Sequence, residues 1–139
     1  MKAYLTRRYR FSASHRLHCD SMSAEENQET YGKCNNPYGH GHNYALEVTV
    51  AGQVDPKTGM ICNLADLDSF VDENIVQRFG HENLNMLVEF QSLVPTTENL
   101  CIAIYQILRG FRPAPIDKVR MEETMLNSFE YAGGREMRG

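Results

Sequence analysis

His40-Gly41-His42-Asn43-Tyr44-Ala45-Leu46-Glu47-Val48-Thr49-Val50 is the stretch from which the rest of the chain can be read. His40, His42, Tyr44, Leu46, Val48 and Val50 fall on every second residue, which is the period of a β-strand. One face of that strand is apolar and begins with two histidines. An earlier run, residues 4 to 17, alternates in the same way and sets Tyr9, Phe11, Ala13, His15 and Leu17 on one side. Two strands therefore each carry histidine on a face that is otherwise apolar. Three histidines from two strands are a donor set for a catalytic zinc, which keeps three protein ligands and one open position, whereas structural zinc is usually closed by four. A lone histidine on a sheet is more often a hydrogen-bonded core residue, so the pattern rests on all three together. His18, beside Cys19 in a loop, is a weaker ligand candidate and reads as a surface residue.

The remaining segments set the fold class. Residues 18 to 39 show no period and read as one long functional loop that delivers Cys34. Asp55-Pro56-Lys57-Thr58-Gly59 is a turn, after which Met60 to Asn63 is expected to form a short strand closing a hairpin. Asn63 is a helix N-cap with Asp66 in the first turn. Leu67, Phe70, Val71, Asn74, Ile75 and Arg78 then describe an amphipathic helix to about residue 78. Residues 79 to 95 read as a loop. Thr96-Thr97-Glu98 opens a second helix with Leu100, Ala103, Ile104, Ile107 and Leu108 on its apolar face, ended by Gly110 and Pro113. Strands are expected over 117 to 126 and 128 to 132. The order ββααββ predicts an α+β protein with a four-stranded antiparallel sheet and two helices on one face.

The chain has 139 residues, 42% hydrophobic and 23% charged, and reads as a single domain over 1–139. Its net charge of −4, with no basic block, argues against nucleic acid as a partner. No segment approaches a membrane span, and the N-terminus turns polar at once, unlike a signal peptide. Cys19, Cys34, Cys62 and Cys101 form no Cys-x-x-Cys pair and read as free thiols of a reducing, cytoplasmic compartment.

Six further positions carry candidate chemistry. Cys34 has polar neighbours, Lys33, Asn35 and Asn36, and a nearby zinc together with Lys33 would favour its thiolate, the basic and nucleophilic form. Glu123 interrupts the apolar side Val119, Met121, Met125. A buried carboxylate needs a partner, and its two oxygens match the paired N–H donors of a guanidine-like heterocycle edge, as in pterins and guanines. His81, in the polar loop between the helices, has the intrinsic pKa of a proton carrier. Thr96, Thr97 and Glu98 cap the second helix, and the N-terminus they create could also donate backbone N–H groups to a ligand.

Phe11-Ser12-Ala13-Ser14-His15-Arg16-Leu17, Gly32-Lys33-Cys34-Asn35-Asn36-Pro37, Gly39-His40-Gly41-His42-Asn43-Tyr44, Asp55-Pro56 with Thr58-Gly59-Met60, Asn63-Leu64-Ala65-Asp66-Leu67, Thr96-Thr97-Glu98-Asn99 and Glu123-Thr124 follow one another in a specific order. Through these motifs the chain resembles, nearly end to end, the 6-pyruvoyl tetrahydropterin synthase family. The resemblance implies the tunnelling fold, or T-fold, with two stacked trimers forming a hexamer. It implies one Zn2+ per subunit on His15, His40 and His42, a catalytic Cys34 and His81, and a pterin anchored by Glu123, with His81 acting from a neighbouring chain. It implies a lyase that converts 7,8-dihydroneopterin triphosphate to 6-pyruvoyl tetrahydropterin and triphosphate, with Mg2+ accompanying the triphosphate as a further expectation. The alternative within the superfamily is 6-carboxytetrahydropterin synthase. That branch usually sets three residues between its cysteine and the His-x-His pair, whereas Asn35 to Gly39 intervene here. One departure stands out: the family usually has an aspartate directly before the catalytic histidine, and this chain has Gly80. A carboxylate there would orient and charge-stabilise the imidazole. Its loss supports a third alternative, a pterin- and zinc-binding protein with little catalysis.

Overall fold

The structure, a computed structural model, describes residues 2–133. Its sheet has the order β1-β2-β3-β4, with every neighbouring pair antiparallel. β1 spans Lys2–His15, β2 His40–Gln53, β3 Ile116–Thr124 and β4 Asn127–Tyr131. The β1–β2 ladder is regular along its whole length and pairs Lys2 with Gln53 at one end and His15 with His40 at the other.

Three long helical stretches accompany the sheet. α1 covers Ala24–Tyr31. α2, Leu64–Val71, runs through a π-helical segment at Asp72–Val76 into a last turn, α3, Gln77–Phe79. α4 covers Thr97–Leu108. The capping residues behave as their chemistry requires: Asn63 accepts from the Ala65 N–H and Thr96 from the Asn99 N–H. The apolar stripes of these helices, Leu67, Val71, Ile75 and Phe79 with Leu100, Ile104 and Leu108, close on Phe11, Leu46, Val48, Val50, Val119 and Met121 from one sheet face. That two-layer core is what an amphipathic helix and a one-sided sheet can bury together. The opposite sheet face is polar. Arg8, Glu47, Arg120 and Glu122 interlock across three strands there, with Arg120 Nη1 at 3.0 Å from both carboxylates.

Two expectations need correction. The segment 18 to 39 is not all loop, because it contains α1 and a following 3-10 turn at Gly32–Asn35. α1 lacks hydrophobic periodicity because polar bonds hold it. Its one buried residue, Asn27, accepts from the Cys19 N–H and donates to the carbonyls of Cys19, Met22 and Ser23. Met60 to Asn63 is not a strand. The turn closes on itself through Gly59 N–H to Asp55 O and Asp55 N–H to Met60 O, and Asn63 is already committed to capping α2.

Candidate functional site

The β1–β2 register builds the centre of the site. His15 stands directly opposite His40, and Ala13 opposite His42, so the three imidazoles share one sheet face. Their rings meet edge to face, with centroids 4.6 to 5.1 Å apart. One nitrogen from each lies within 4.8 Å of the other two. Gly39 makes this approach possible. It has φ +70°, and a Cβ there would fall 2.8 Å from the His15 carbonyl oxygen, so no side chain fits where the chain enters β2.

The protonation state of the cluster suits a cation. Burial pushes the pKa of His15 down, as it does for His42, which favours neutral imidazole. The Nδ1 of His15 lies 2.8 Å from the Pro95 carbonyl oxygen. A carbonyl only accepts, so Nδ1 carries the proton and Nε2 is a free lone pair. The Nε2 atoms of His15 and His42 are buried with no hydrogen-bond partner. A free lone pair on His15 and an unpartnered Nε2 on His42, both buried and facing a third imidazole, are costly as they stand and fit a borderline metal ion such as zinc. The residues present therefore fit the metal that the sequence pattern suggests. His18 lies apart from them, its ring nitrogens near Asn35 and Asp20.

Cys34 reaches the edge of this cluster from the 3-10 turn, with Sγ 3.6 Å from His40 Nε2. Its backbone is fixed to the end of β1, since the Leu17 N–H donates to the Cys34 carbonyl oxygen at 2.7 Å. The adjacent Asn35 is buried and donates to the Leu17 carbonyl at 2.8 Å. Burial first, and the negative charge of Glu123 second, push the Cys34 thiol up. Lys33 is exposed and is not among the groups acting on the thiol, so the expected help from that ammonium is missing. A cleft of about 730 Å³ opens beside Cys34 and His40, and α1 contributes Gln28 to its wall.

Glu123 completes the inner group. The register of β3 against β4 slips between Glu122, which faces Ser128, and Thr124, which faces Asn127, so Glu123 is the extra residue of a β-bulge. Bulges re-aim side chains next to functional sites. Here one carboxylate oxygen lies 3.8 Å from His42 Nε2 and the other accepts a hydrogen bond from the Thr97 hydroxyl. Thr97 is buried at the start of α4. The Thr96 hydroxyl is occupied by its capping bond to Asn99.

His81 does not join them. It is exposed, has φ +61°, and lines a separate cleft with Arg10, Phe11, Ser12, Asn43, Val76 and Gly80. Its N–H donates to the Ser12 carbonyl at 2.5 Å, and Ser14 N–H donates to the Glu82 carbonyl at 3.0 Å, so this segment lies along the outer edge of β1. Gly80 has a local cause. Its N–H closes the helix on the Val76 carbonyl, and a Cβ at this residue would fall inside contact distance of that same oxygen. An aspartate at position 80 would require the helix end to move.

Sequence reasoning passed over Tyr44 and Pro95 as site residues. Tyr44 was visible only as a face-filling aromatic, although it follows His42 by two residues on the same face. The Pro95 carbonyl has no sequence signal. The Ser23-x-x-Glu26 capping box, which forms with both reciprocal bonds, was the signal for α1 and hence for Gln28.

The model of the 6-pyruvoyl tetrahydropterin synthase family matches residues 4–134. The 6-pyruvoyl tetrahydrobiopterin synthase of Homo sapiens is 48% identical over 134 residues, which cover 95% of this chain and 92% of that protein. The protein of the same name from Poecilia reticulata is 49% identical over 132 residues, covering 94% and 90%. The solved structure of Caenorhabditis elegans 6-pyruvoyl tetrahydropterin synthase superposes with a TM-score of 0.91 at 40% identity, covering 96% of each chain. The sheet and helices described above are thus those of the T-fold.

Proposed function

The chain belongs to the 6-pyruvoyl tetrahydropterin synthase family, and from that premise we propose that it is a zinc-dependent lyase. It converts 7,8-dihydroneopterin triphosphate to 6-pyruvoyl tetrahydropterin with release of triphosphate. The observation that carries the reading is the convergence, at one end of the β1–β2 ladder, of three kinds of group: a histidine triad with two orphaned Nε2 atoms, a thiol 3.6 Å from His40 and a carboxylate 3.8 Å from His42.

His15, His40 and His42 would hold the metal. Bound there, zinc supplies Lewis acidity to the hydroxyl oxygens of the substrate side chain and acidifies the adjacent C–H bonds. Glu123 binds the paired N–H donors of the pterin edge, and Thr97 fixes the carboxylate by donating to its other side. The N-terminus of α4, which Thr96 caps, offers backbone N–H groups to the ring. Cys34 takes a proton from the substrate side chain. His81 relays protons from a neighbouring copy of the chain. That role is supported by its separation from Cys34 within one chain and agrees with a hexamer of two stacked trimers. The oxidation of the side chain and reduction of the ring balance within one molecule, so no hydride donor is needed. Mg2+ accompanies the triphosphate. No helix among the described residues is long and apolar enough to cross a membrane, and the free cysteines fit a reducing cytoplasm.

Metal removal tests the core of this reading. Protein stripped by a strong chelator is expected to release no triphosphate above background, and stoichiometric Zn2+ is expected to restore release. Full activity in verified metal-free protein would overturn the assignment of the triad.

A further inference from the structure

Cys34 Sγ and His40 Nε2 are 3.6 Å apart. Zinc binds imidazole nitrogen at about 2.0–2.1 Å and thiolate sulfur at about 2.3 Å, and a tetrahedron with those lengths sets nitrogen and sulfur about 3.5–3.6 Å apart. The thiol therefore stands at the separation expected of two ligands of one ion. It does so beside a triad whose His15 and His42 Nε2 atoms are buried without a hydrogen-bond partner. Glu123 also borders the triad and fits less well. A nitrogen and an oxygen on tetrahedral zinc lie about 3.4 Å apart, whereas the Glu123 oxygen is 3.8 Å from His42 Nε2. The other carboxylate oxygen is held by the Thr97 hydroxyl.

The backbone keeps the sulfur in place. Leu17 lies two residues beyond His15; its N–H donates to the Cys34 carbonyl at 2.7 Å, and its carbonyl accepts from the Asn35 amide at 2.8 Å. Arg16 Nε donates to the Asn35 carbonyl at 3.2 Å. Directly before His40, the Gly39 N–H donates to the Asn36 carbonyl at 2.8 Å. The short segment from Cys34 to His40 is thus fastened to the strand ends that carry His15 and His40, and the thiol needs no rearrangement of the chain to reach an ion in the triad. One side stays open, because Cys34 and His40 line the cleft of about 730 Å³.

We propose that Cys34 is the fourth ligand of the metal until substrate arrives, and that hydroxyl oxygens of the substrate, entering from that cleft, displace it. The inference rests on the function proposed above, because it takes the triad as the metal site and Cys34 as the base. The exchange balances in protons and electron pairs. The thiol gives its proton to solvent as the ion binds, since a coordinating thiol is deprotonated. When a substrate oxygen takes its position, the sulfur leaves with its electron pair as a free thiolate, which then removes the substrate proton. A sulfur bound to the ion has that pair engaged, so the base is released only when substrate is in place. The three imidazoles hold the ion in either state.

X-ray absorption at the zinc K edge tests this without turnover, since it separates a sulfur neighbour at about 2.3 Å from nitrogen and oxygen at about 2.0–2.2 Å. Zinc-loaded native protein is expected to show one sulfur per zinc. Cys34→Ala is expected to lose that sulfur and to keep the imidazole nitrogens, which also shows that the triad is intact in the variant. Neopterin, whose binding is followed by its fluorescence, is expected to remove the sulfur from the native spectrum and to add an oxygen. A native spectrum with no sulfur overturns the proposal, as does a sulfur that survives in Cys34→Ala. A sulfur that stays while neopterin is bound overturns the displacement. Native protein that binds zinc but no neopterin would instead overturn the functional reading, and the native sulfur signal would then sustain or overturn the ligation by Cys34.

Discussion

Cys34→Ala is expected to lower kcat by about 10²- to 10⁴-fold while leaving zinc bound at its native stoichiometry, the range that follows from deleting a positioned general base. The two halves of that expectation come from different parts of the structure. The thiol sits 3.6 Å from His40 Nε2, at the rim of the triad, and the three imidazoles are held by strand register and by the Pro95 carbonyl, neither of which involves the Cys34 side chain. The turn that carries it is fixed through its backbone, by Leu17 N–H to Cys34 O and by the Asn35 amide to Leu17 O, so truncating the thiol leaves its neighbours in place. Initial rates and metal analysis on the same preparation check both halves. Native turnover in the variant would remove Cys34 from the reaction, and loss of zinc would mean that the triad alone does not hold the ion.

Glu123→Gln is expected to raise KM by roughly 10- to 100-fold with a smaller change in kcat. The substitution keeps the length of the side chain and an oxygen for Thr97 to bond, but replaces a charged acceptor pair with one acceptor and one donor. A hydrogen bond to a charged group contributes about 1.5–3 kcal/mol, and about 1.4 kcal/mol is tenfold in affinity, so losing the charged half of a two-point contact accounts for that range. The bulge at Glu122/Thr124 means that the carboxylate is aimed by backbone, so the amide should stay at the same place. Steady-state kinetics with varied substrate are the check. An unchanged KM would mean that the pterin edge is held elsewhere.

What the sequence made legible, and what it hid, follows from which interactions are local. The histidine triad is legible because a strand has a period of two: His40 and His42 must share a face, and His15 belongs to a run whose apolar side is equally plain. The two long helices are legible for the same reason, each with an apolar stripe and a side-chain cap at Asn63 or Thr96. α1 stayed hidden because Asn27 tethers it through four polar bonds instead of an apolar face. Met60 to Asn63 was misread because alternation over four residues cannot compete with a turn that closes on its own backbone and a cap that starts the next helix. The bulge that aims Glu123, and the Thr97 hydroxyl that its carboxylate meets, depend on contacts between residues far apart in sequence, which periodicity does not encode. Gly80 read as a missing carboxylate in the sequence. In the structure it is the residue that lets the helix end bond to Val76 and the next segment reach the edge of β1.

Incubation of zinc-loaded protein with 7,8-dihydroneopterin triphosphate, followed by mass spectrometry of the products, tests the central claim most directly. The site described here predicts 6-pyruvoyl tetrahydropterin and inorganic triphosphate in equal amounts. A product with a carboxyl side chain, or substrate recovered unchanged, would contradict it.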